Sequence, residues 1–284
     1  MKLCVTSGII ERRENGEKTP FAQTLAFLKE AGFEEMDFSF DTPDLLQDGW
    51  QSAFREKFRQ AKDAGVRVRY AHLPFDYPND RSGYGWDDFL EASRRAVGLA
   101  VEADVDCAAI HPRTAMTREY DAEKEHENAV KFLAPYCALA KEAGLSLALE
   151  NMRGAGQSAP EEIKRYGTQT AELIRMADEL EIGVCWDTGH ANISAQDQRI
   201  SLEMIGKRLR MVHINDNFAE DDVHTAPFLG TVDWKGVCEG LKAVGFSGSI
   251  NLEVSADTLP EELRLHYARY MAASAEKLRA MLQS

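Results

Sequence analysis

The chain has little that could cross-link it and little positive charge. Its five cysteines (Cys4, Cys107, Cys137, Cys185 and Cys238) are scattered, odd in number and without a C-x-x-C pair. This argues against a disulfide framework and a cysteine-built zinc site, and predicts buried thiols. No apolar run approaches the roughly 18 residues needed to cross a bilayer. The opening MKLCVTSGII runs straight into ERRENGEK, too short an apolar stretch for a signal peptide, so a cytoplasmic protein is expected. Lys and Arg number 33 against 47 Asp and Glu, a formal net charge of -14. Such a surface repels nucleic-acid phosphates unless basic residues gather locally, and only short groups such as Arg12-Arg13 and Lys164-Arg165 occur. No G-x-G-x-x-G turn follows the first apolar run, no Gly-rich phosphate loop is evident, and no low-complexity linker divides the chain, so one domain over residues 1-284 is expected.

What is present is a repeated alternation. At 44% hydrophobic residues over 284 positions the chain can bury a large core. Eight short β-rich runs recur: LCVTSG (3-8), EEMDFSF (34-40), VRVRYAHLPF (66-75), CAAIHP (107-112), LSLALENM (145-152), GVCWDTGH (183-190), LRMVHINDN (209-217) and GSINLEVS (248-255). Helical patterns separate them, as at 121-143, where Ala129, Phe132, Leu133, Tyr136 and Ala140 recur at spacings of three and four. Gly32, Gly65, Gly144 and Gly245 stand where left-handed helix caps are expected. Eight βα units of roughly 35 residues predict an α/β fold, a single (β/α)8 TIM barrel, over an open doubly wound sheet. Two connections, 153-169 and 218-233, are long enough to be lids or binding loops.

In such a barrel the chemistry gathers at the C-terminal ends of the strands. There the runs carry His72, His111, Glu150, Asp187 with His190, His213 and Glu253, and the loop after the seventh run adds Asp222 and His224. Each alone has an ordinary reading: a histidine before a proline caps a turn, Asp187 caps a helix, Glu253 is a solvated charge. Six successive strands ending in His or acid is more than solubility requires, and carboxylates converging on one mouth repel unless a cation or a proton lies between them. Glu150, Asp187, His213 and Glu253 come from four neighbouring strands and can converge on one cation. Three carboxylates and an imidazole favour Mn2+ or Mg2+, with Co2+ also compatible. Recruiting His72, His111, His190 and His224 moves the preference toward Zn2+.

The motifs LALEN, WDTGH, VHINDN, DVHTAPFLGTVDW and LEVS, in this order, resemble those of the xylose isomerase-like TIM barrels, a superfamily of sugar-phosphate isomerases and epimerases. The resemblance runs from AHLPF to LEVS, about two thirds of the chain. It implies one divalent metal on Glu150, Asp187, His213 and Glu253, with Glu150 and Glu253 also serving as acid and base and His190 contacting a substrate oxygen. Ketose 3-epimerases of the superfamily carry an arginine six residues after the metal histidine; this sequence has Ala219 there, a departure that weighs against a free-ketose 3-epimerase. The superfamily also holds the endonuclease IV type of abasic-site nuclease. The counterparts of its nine zinc ligands are His72, His111, Glu150, Asp187, His190, His213, Asp222, His224 and Glu253.

The expected enzyme is therefore a metal-dependent sugar, sugar-phosphate or polyol isomerase or epimerase working by proton transfer beside a carbonyl. An inosose-type dehydratase or an abasic-site nuclease is the alternative, and a sugar-binding barrel without turnover carries little weight because both acid-base glutamates are present. Glu150 and Glu253 are the candidate catalytic residues. His72, His111, His190 and His224 are candidates for substrate contact and, with Asp222, for further metal binding. The expected partner is a small sugar or polyol, nucleic acid is disfavoured by charge, and homo-oligomer formation is left open. Tyr77, Tyr84 and Trp86, in the loop after the third run, are expected to cover the sugar.

Overall fold

A computed structural model describes all residues, 1-284. Eight strands, β1 (Leu3–Thr6), β2 (Glu35–Ser39), β3 (Arg67–His72), β4 (Cys107–Ile110), β5 (Leu147–Glu150), β6 (Gly183–Asp187), β7 (Leu209–His213) and β8 (Ile250–Leu252), fall one within each β-rich run. They alternate with α1 (Phe21–Ala31), α2 (Thr42–Leu46) and α3 (Trp50–Asp63), α4 (Trp86–Glu102), α5 (Ala122–Ala143), α6 (Thr170–Glu179), α7 (Thr188–Ile193) and α8 (Gln198–Ile205), α9 (Trp234–Ala243) and α10 (Glu261–Gln283). Neighbouring strands pair in parallel, in the order β7-β6-β5-β4-β3-β2-β1-β8. The ring closes between β7 and β8 through the Ile214–Leu252 bridge, where the N–H of Ile214 donates to Asn251 O at 2.8 Å and that of Glu253 to Ile214 O at 3.1 Å. This is the (β/α)8 barrel.

The strand pleat sends alternate side chains to opposite faces and so divides the interior in two. Outward positions such as Val5, Met36, Phe38, Leu149, Trp186 and Leu252 join a 61-residue apolar layer between strands and helices. Inside the barrel the apolar cluster is only 7 residues, Cys4, Tyr70, Cys107, Ala109, Ala148, Cys185 and Met211. It is small because the other inward positions are buried polar groups, among them Glu35, Asp37, Glu150, Asp187, His213 and Asn251. All five cysteines are buried free thiols. Gly32, Gly65, Gly144 and Gly245 all adopt left-handed φ, between 67° and 108°. No helix is long and apolar enough to cross a membrane.

Candidate metal centre

Glu150, the last residue of β5, is 1% exposed and enclosed by imidazoles. His213 Nδ1, His111 Nε2 and His72 Nε2 lie 3.0, 3.2 and 3.4 Å from its Oε2, and His190 Nδ1 lies 3.3 Å from its Oε1. Glu253 Oε2 stands 3.3 Å from the same His213 Nδ1. The expected residues gather into three groups, each with ligand atoms within 4.8 Å of one another: Glu150, Asp187, His213 and Glu253; His72, Glu150 and His213; and His190, Asp222 and His224. His111 adjoins the second through His72, their Nε2 atoms 3.1 Å apart.

Each ring is held through one nitrogen and turns the other toward these groups. His72 Nδ1 donates to Leu73 O at 2.8 Å, His190 Nδ1 to Asn151 O at 2.8 Å and His224 Nδ1 to Glu253 O at 2.7 Å. In each case Nε2 is left facing the carboxylates, as metal-binding histidines are held; in the metal-free site it carries a proton toward Asp222 in His190 and His224, and it would offer its lone pair once that proton is displaced. His213 is turned the other way: its Nε2 donates to Asp37 Oδ2 at 3.2 Å, leaving Nδ1 toward Glu150 and Glu253. Carboxylates gathered this closely repel unless protons on the imidazoles or a cation lie between them. Accordingly Glu150 Oε1 and Oε2, His213 Nδ1, Glu253 Oε2 and Asp222 Oδ1 are buried without a hydrogen-bond partner. That pattern fits a cation.

Without a cation, the imidazoles themselves supply the positive charge. Burial alone would raise Glu150, yet His213 and His111 hold it well below the ordinary carboxylate range. Glu253 is likewise brought to about 2, His213 outweighing burial. Asp187 goes the other way, to about 7, because burial is reinforced by the charges of Glu150 and Glu253 and only partly relieved by His190. Against burial, Asp222 and Glu253 lift His224 to about 10.

The stretch CWDTGHANIS resolves into a strand end and a helix start. The strand stops at Asp187, and His190 sits in the first turn of α7 rather than on the strand, because Asp187 Oδ1 caps that helix by accepting the His190 N–H at 2.6 Å. Asp187 Oδ2 accepts from Asn215 Nδ2 at 2.7 Å, and the Asn151 amide brackets the Asp187 backbone at 2.7 and 2.9 Å. Gly189 is required by this crowding: a Cβ there would lie 1.8 Å from Asn215 Oδ1.

The loop after β7 is cinched by Asp216. Its carboxylate accepts from Trp234 Nε1 and the backbone N–H groups of Phe228 and Val232, each at 3.0 Å. Ala219, His224 and Phe228 are held at φ of 65°, 44° and 73°, strained for residues with a Cβ. The N–H of Gln157 donates to Ala219 O at 3.1 Å, so the long loops after β5 and β7 support each other.

A cavity of 290 Å³ opens beside the cluster, lined by Ser7, Ser39, Phe38, Phe75, Lys18, Asp41 and Glu253 among others. Of the nine expected residues only Glu253 lines it, and its side chain is 24% exposed against 1% for Glu150. Larger hollows of 580 and 600 Å³ involve none of the nine. The aromatics expected over the sugar do not lie there. Tyr77 and Trp86 stack on each other and against Phe89 and Phe132, while Tyr84 donates to Asp76 Oδ2 at 3.0 Å, so this trio anchors the loop to α4 and α5. The aromatic that meets the cluster is Phe75, edge-on to His72 at 4.7 Å and 47% exposed. Sequence reasoning passed over Phe75, Asp37, Asn151, Asn215 and Asp216. An acid inside the apolar EMDFS, and an asparagine one or two residues past each of Glu150 and His213, were the available signals.

The chain belongs to the xylose isomerase-like TIM-barrel family, which matches residues 25–281. Among curated relatives, an uncharacterised protein of Methanocaldococcus jannaschii is 29% identical over 171 residues, 58% of this chain and 56% of that one. An inosose dehydratase of Geobacillus thermodenitrificans is 29% identical over 136 residues, 42% of this chain and 43% of that one. The chain thus spans about half the length of these relatives. A solved D-tagatose 3-epimerase-like protein superposes with a TM-score of 0.74 at 18% identity, covering 100% of this chain and 98% of that one. A xylose isomerase domain protein from Alicyclobacillus acidocaldarius gives 0.75 at 16%, covering 100% and 99%. At these identities the likeness is one of fold.

Proposed function

We propose that the chain is a divalent-metal-dependent enzyme that isomerises or epimerises a small polyhydroxylated carbonyl compound by moving a proton at the carbon beside the carbonyl. The observation that carries this reading is the set of inward-facing acceptors around Glu150 with Glu253 at the wall of a monosaccharide-sized cavity. Glu150, Asp187, His213 and Glu253 would hold the metal, which when bound polarises a carbonyl as a Lewis acid and acidifies the neighbouring C–H. Mn2+, Mg2+, Co2+ and Zn2+ all suit such a donor set.

Glu253 is the better placed of the two glutamates to take the proton, because it alone reaches the cavity; Glu150, in contact with four histidines, organises the cluster and returns a proton only if the substrate enters more deeply. If the substrate enters past Glu253, His190 and His224, held by backbone carbonyls, would orient its oxygens, as would His72 and His111. If the substrate carries a leaving hydroxyl beta to the carbonyl, the same abstraction ends in dehydration, the activity named for the Geobacillus relative.

A second reading, phosphoester hydrolysis as in the nuclease branch, is favoured by one observation: His190, Asp222 and His224 form a ligand group of their own beside the first. The net charge of -14 opposes a DNA substrate. Elemental analysis of the purified protein, followed by assays on ketoses, aldoses, their phosphates, inososes and an abasic duplex, tests both. Turnover of a carbonyl substrate, lost with the metal, is expected; efficient nicking of the duplex without carbonyl turnover would reverse the order.

A further inference from the structure

Phe75 is a large apolar side chain at the cavity that core packing does not explain. Its ring is 47% exposed and lies outside the apolar layer between strands and helices. The other phenyl rings of the cavity wall belong to that layer: Phe38 is buried in it, edge-on to Phe54 and Phe58, and Phe21 packs edge-on against Phe38 at 5.8 Å. The ring neighbours of Phe75 are two imidazoles instead, His72 at 4.7 Å and His111 at 4.9 Å between centroids. Those imidazoles are themselves 4.6 Å apart, so the three rings form a triangle. Of its corners, Phe75 alone lines the cavity that Glu253 also lines. A compound seated beside Glu253 therefore meets the phenyl ring before it meets His72 or His111.

The backbone, and not the packing of the ring, fixes this position. Pro74 is buried and restricts the chain on one side. On the other, the Phe75 carbonyl accepts from the Tyr77 N–H at 2.9 Å, and Asp76 accepts from Thr42 Oγ1 at 2.7 Å and from the Tyr84 hydroxyl at 3.0 Å. Tyr77 and Trp86 hold the same loop against Phe89 and Phe132. Three aromatics thus anchor the loop, and the fourth is held out into the cavity. The rest of the wall is largely polar, with Ser7, Ser39, Lys18 and Asp41. One rigid apolar face among such groups is how a pocket takes the C–H side of a compound while polar groups take its oxygens.

We propose that Phe75 is the specificity-determining contact of the site: its ring packs on the C–H face of the carbonyl compound and, standing in front of His72 and His111, sets how deep that compound enters. The proposal rests on the reading of the site as one for small polyhydroxylated carbonyl compounds.

The test uses the metal-loaded enzyme and three neutral probes, fructose, sedoheptulose and an inosose, with affinity read by calorimetry and turnover followed in parallel. Phe75→Ala should weaken the tightest of them about tenfold and raise its KM to match, with kcat within about twofold, the pattern of binding lost equally from ground and transition states. Phe75→Leu should recover part of the loss. The space vacated by the ring suits the longer chain, so the affinity for sedoheptulose relative to fructose should rise in Phe75→Ala, a change that a merely structural role would not produce. Because the ring lies outside the core, this variant should unfold at the same urea concentration as the parent, which separates the result from a folding defect. In Phe75→Trp the added indole should change its emission as a probe binds, with the half-saturation found by calorimetry. Unchanged probe affinity in Phe75→Ala, a fall in kcat without a rise in KM, or a silent indole in Phe75→Trp overturns the proposal alone. Affinity lost as described without any carbonyl turnover supports the contact and sinks the proposed function. Binding of none of the three probes sinks both.

Discussion

His213 Nε2, at the end of β7, stands 3.2 Å from Asp37 Oδ2, the third position of β2, across the barrel interior. The acid therefore decides which nitrogen of the imidazole faces Glu150 and Glu253. Asn251 Nδ2 also donates to Asp37 Oδ2, at 2.6 Å, which fixes the carboxylate in turn. A buried polar column thus runs from inside the barrel to the candidate metal site, and an error at its base should be felt at the top.

Asp37→Asn keeps the size of the side chain but allows it to present an N–H to His213, and the wrong tautomer follows. Metal affinity should fall by about 10- to 100-fold, the usual cost of losing an outer partner of a ligating histidine. Competition against a chelator of known affinity measures it. An unchanged affinity with unchanged folding would mean that His213 does not ligate through Nδ1.

Gly189→Ala places a Cβ 1.8 Å from Asn215 Oδ1, and Asn215 is the residue that holds Asp187 Oδ2. Overpacking of this kind costs about 1–3 kcal/mol, read from urea unfolding. In an Asn215→Ala background the contacts with Asn215 are gone and only the 2.8 Å approach to Asn217 Nδ2 remains, so the same substitution should cost less. Equal costs in the two backgrounds would mean that the loop after β7 has room to move away.

These two residues show what the sequence could and could not reveal. The strands were legible because outward positions such as Val5, Leu149 and Trp186 need apolar side chains against the helices, a local pattern. The nine chemical residues were legible as histidines and acids at successive strand ends. Asp37 was not, because an acid in mid-strand acquires meaning only from what stands across the barrel, 176 residues away in sequence. Asn151 and Asn215 look like turn residues for the same reason. The loop aromatics misled because Tyr77 and Trp86 had a nearer apolar partner, Phe132 on α5, than any substrate.

Metal binding should strengthen as pH rises toward neutrality. Asp187 is raised to about 7, chiefly by burial, so below that pH the metal-free site holds a proton that a cation must displace. The affinity should fall about tenfold for each pH unit below 7, and more steeply where His190 and His213, both held above their ordinary values, also release protons. Above 7 the Asp187 contribution is complete, and any further rise belongs to the histidines. Mn2+ titrations between pH 5.5 and 8.5 test this; a flat profile would place the cation away from Asp187.

Glu253→Gln should lower kcat by about 10²- to 10⁴-fold, the range lost with a general base. Because Glu253 is also a candidate ligand, metal content must be measured on the same sample and the rate compared at full occupancy. Glu150→Gln should differ in kind: the side chain sits within 3.4 Å of His72, His111 and His213, so its loss should empty the site first and slow the chemistry as a consequence. A Glu150 variant that keeps its metal but loses turnover would make Glu150 the base.

The fate of the transferred hydrogen separates proton transfer from a hydride shift. Glu253 lies at the wall of the cavity with its side chain 24% exposed, so a proton it abstracts can exchange with water before it is returned. Product formed in D₂O at low conversion should then carry deuterium at the carbon beside the carbonyl, at least in part, as seen by NMR. A hydride shift between adjacent carbons would leave that position unlabelled at every pH. Transfer shielded from solvent by one enclosed base could imitate the unlabelled result, and Glu150, at 1% exposure, is enclosed enough to do so. A Glu253→Asp variant, with its shorter reach and looser fit, should then raise deuterium uptake if Glu253 carries the proton. Retention of the original hydrogen in both enzymes would count against either glutamate as the proton carrier.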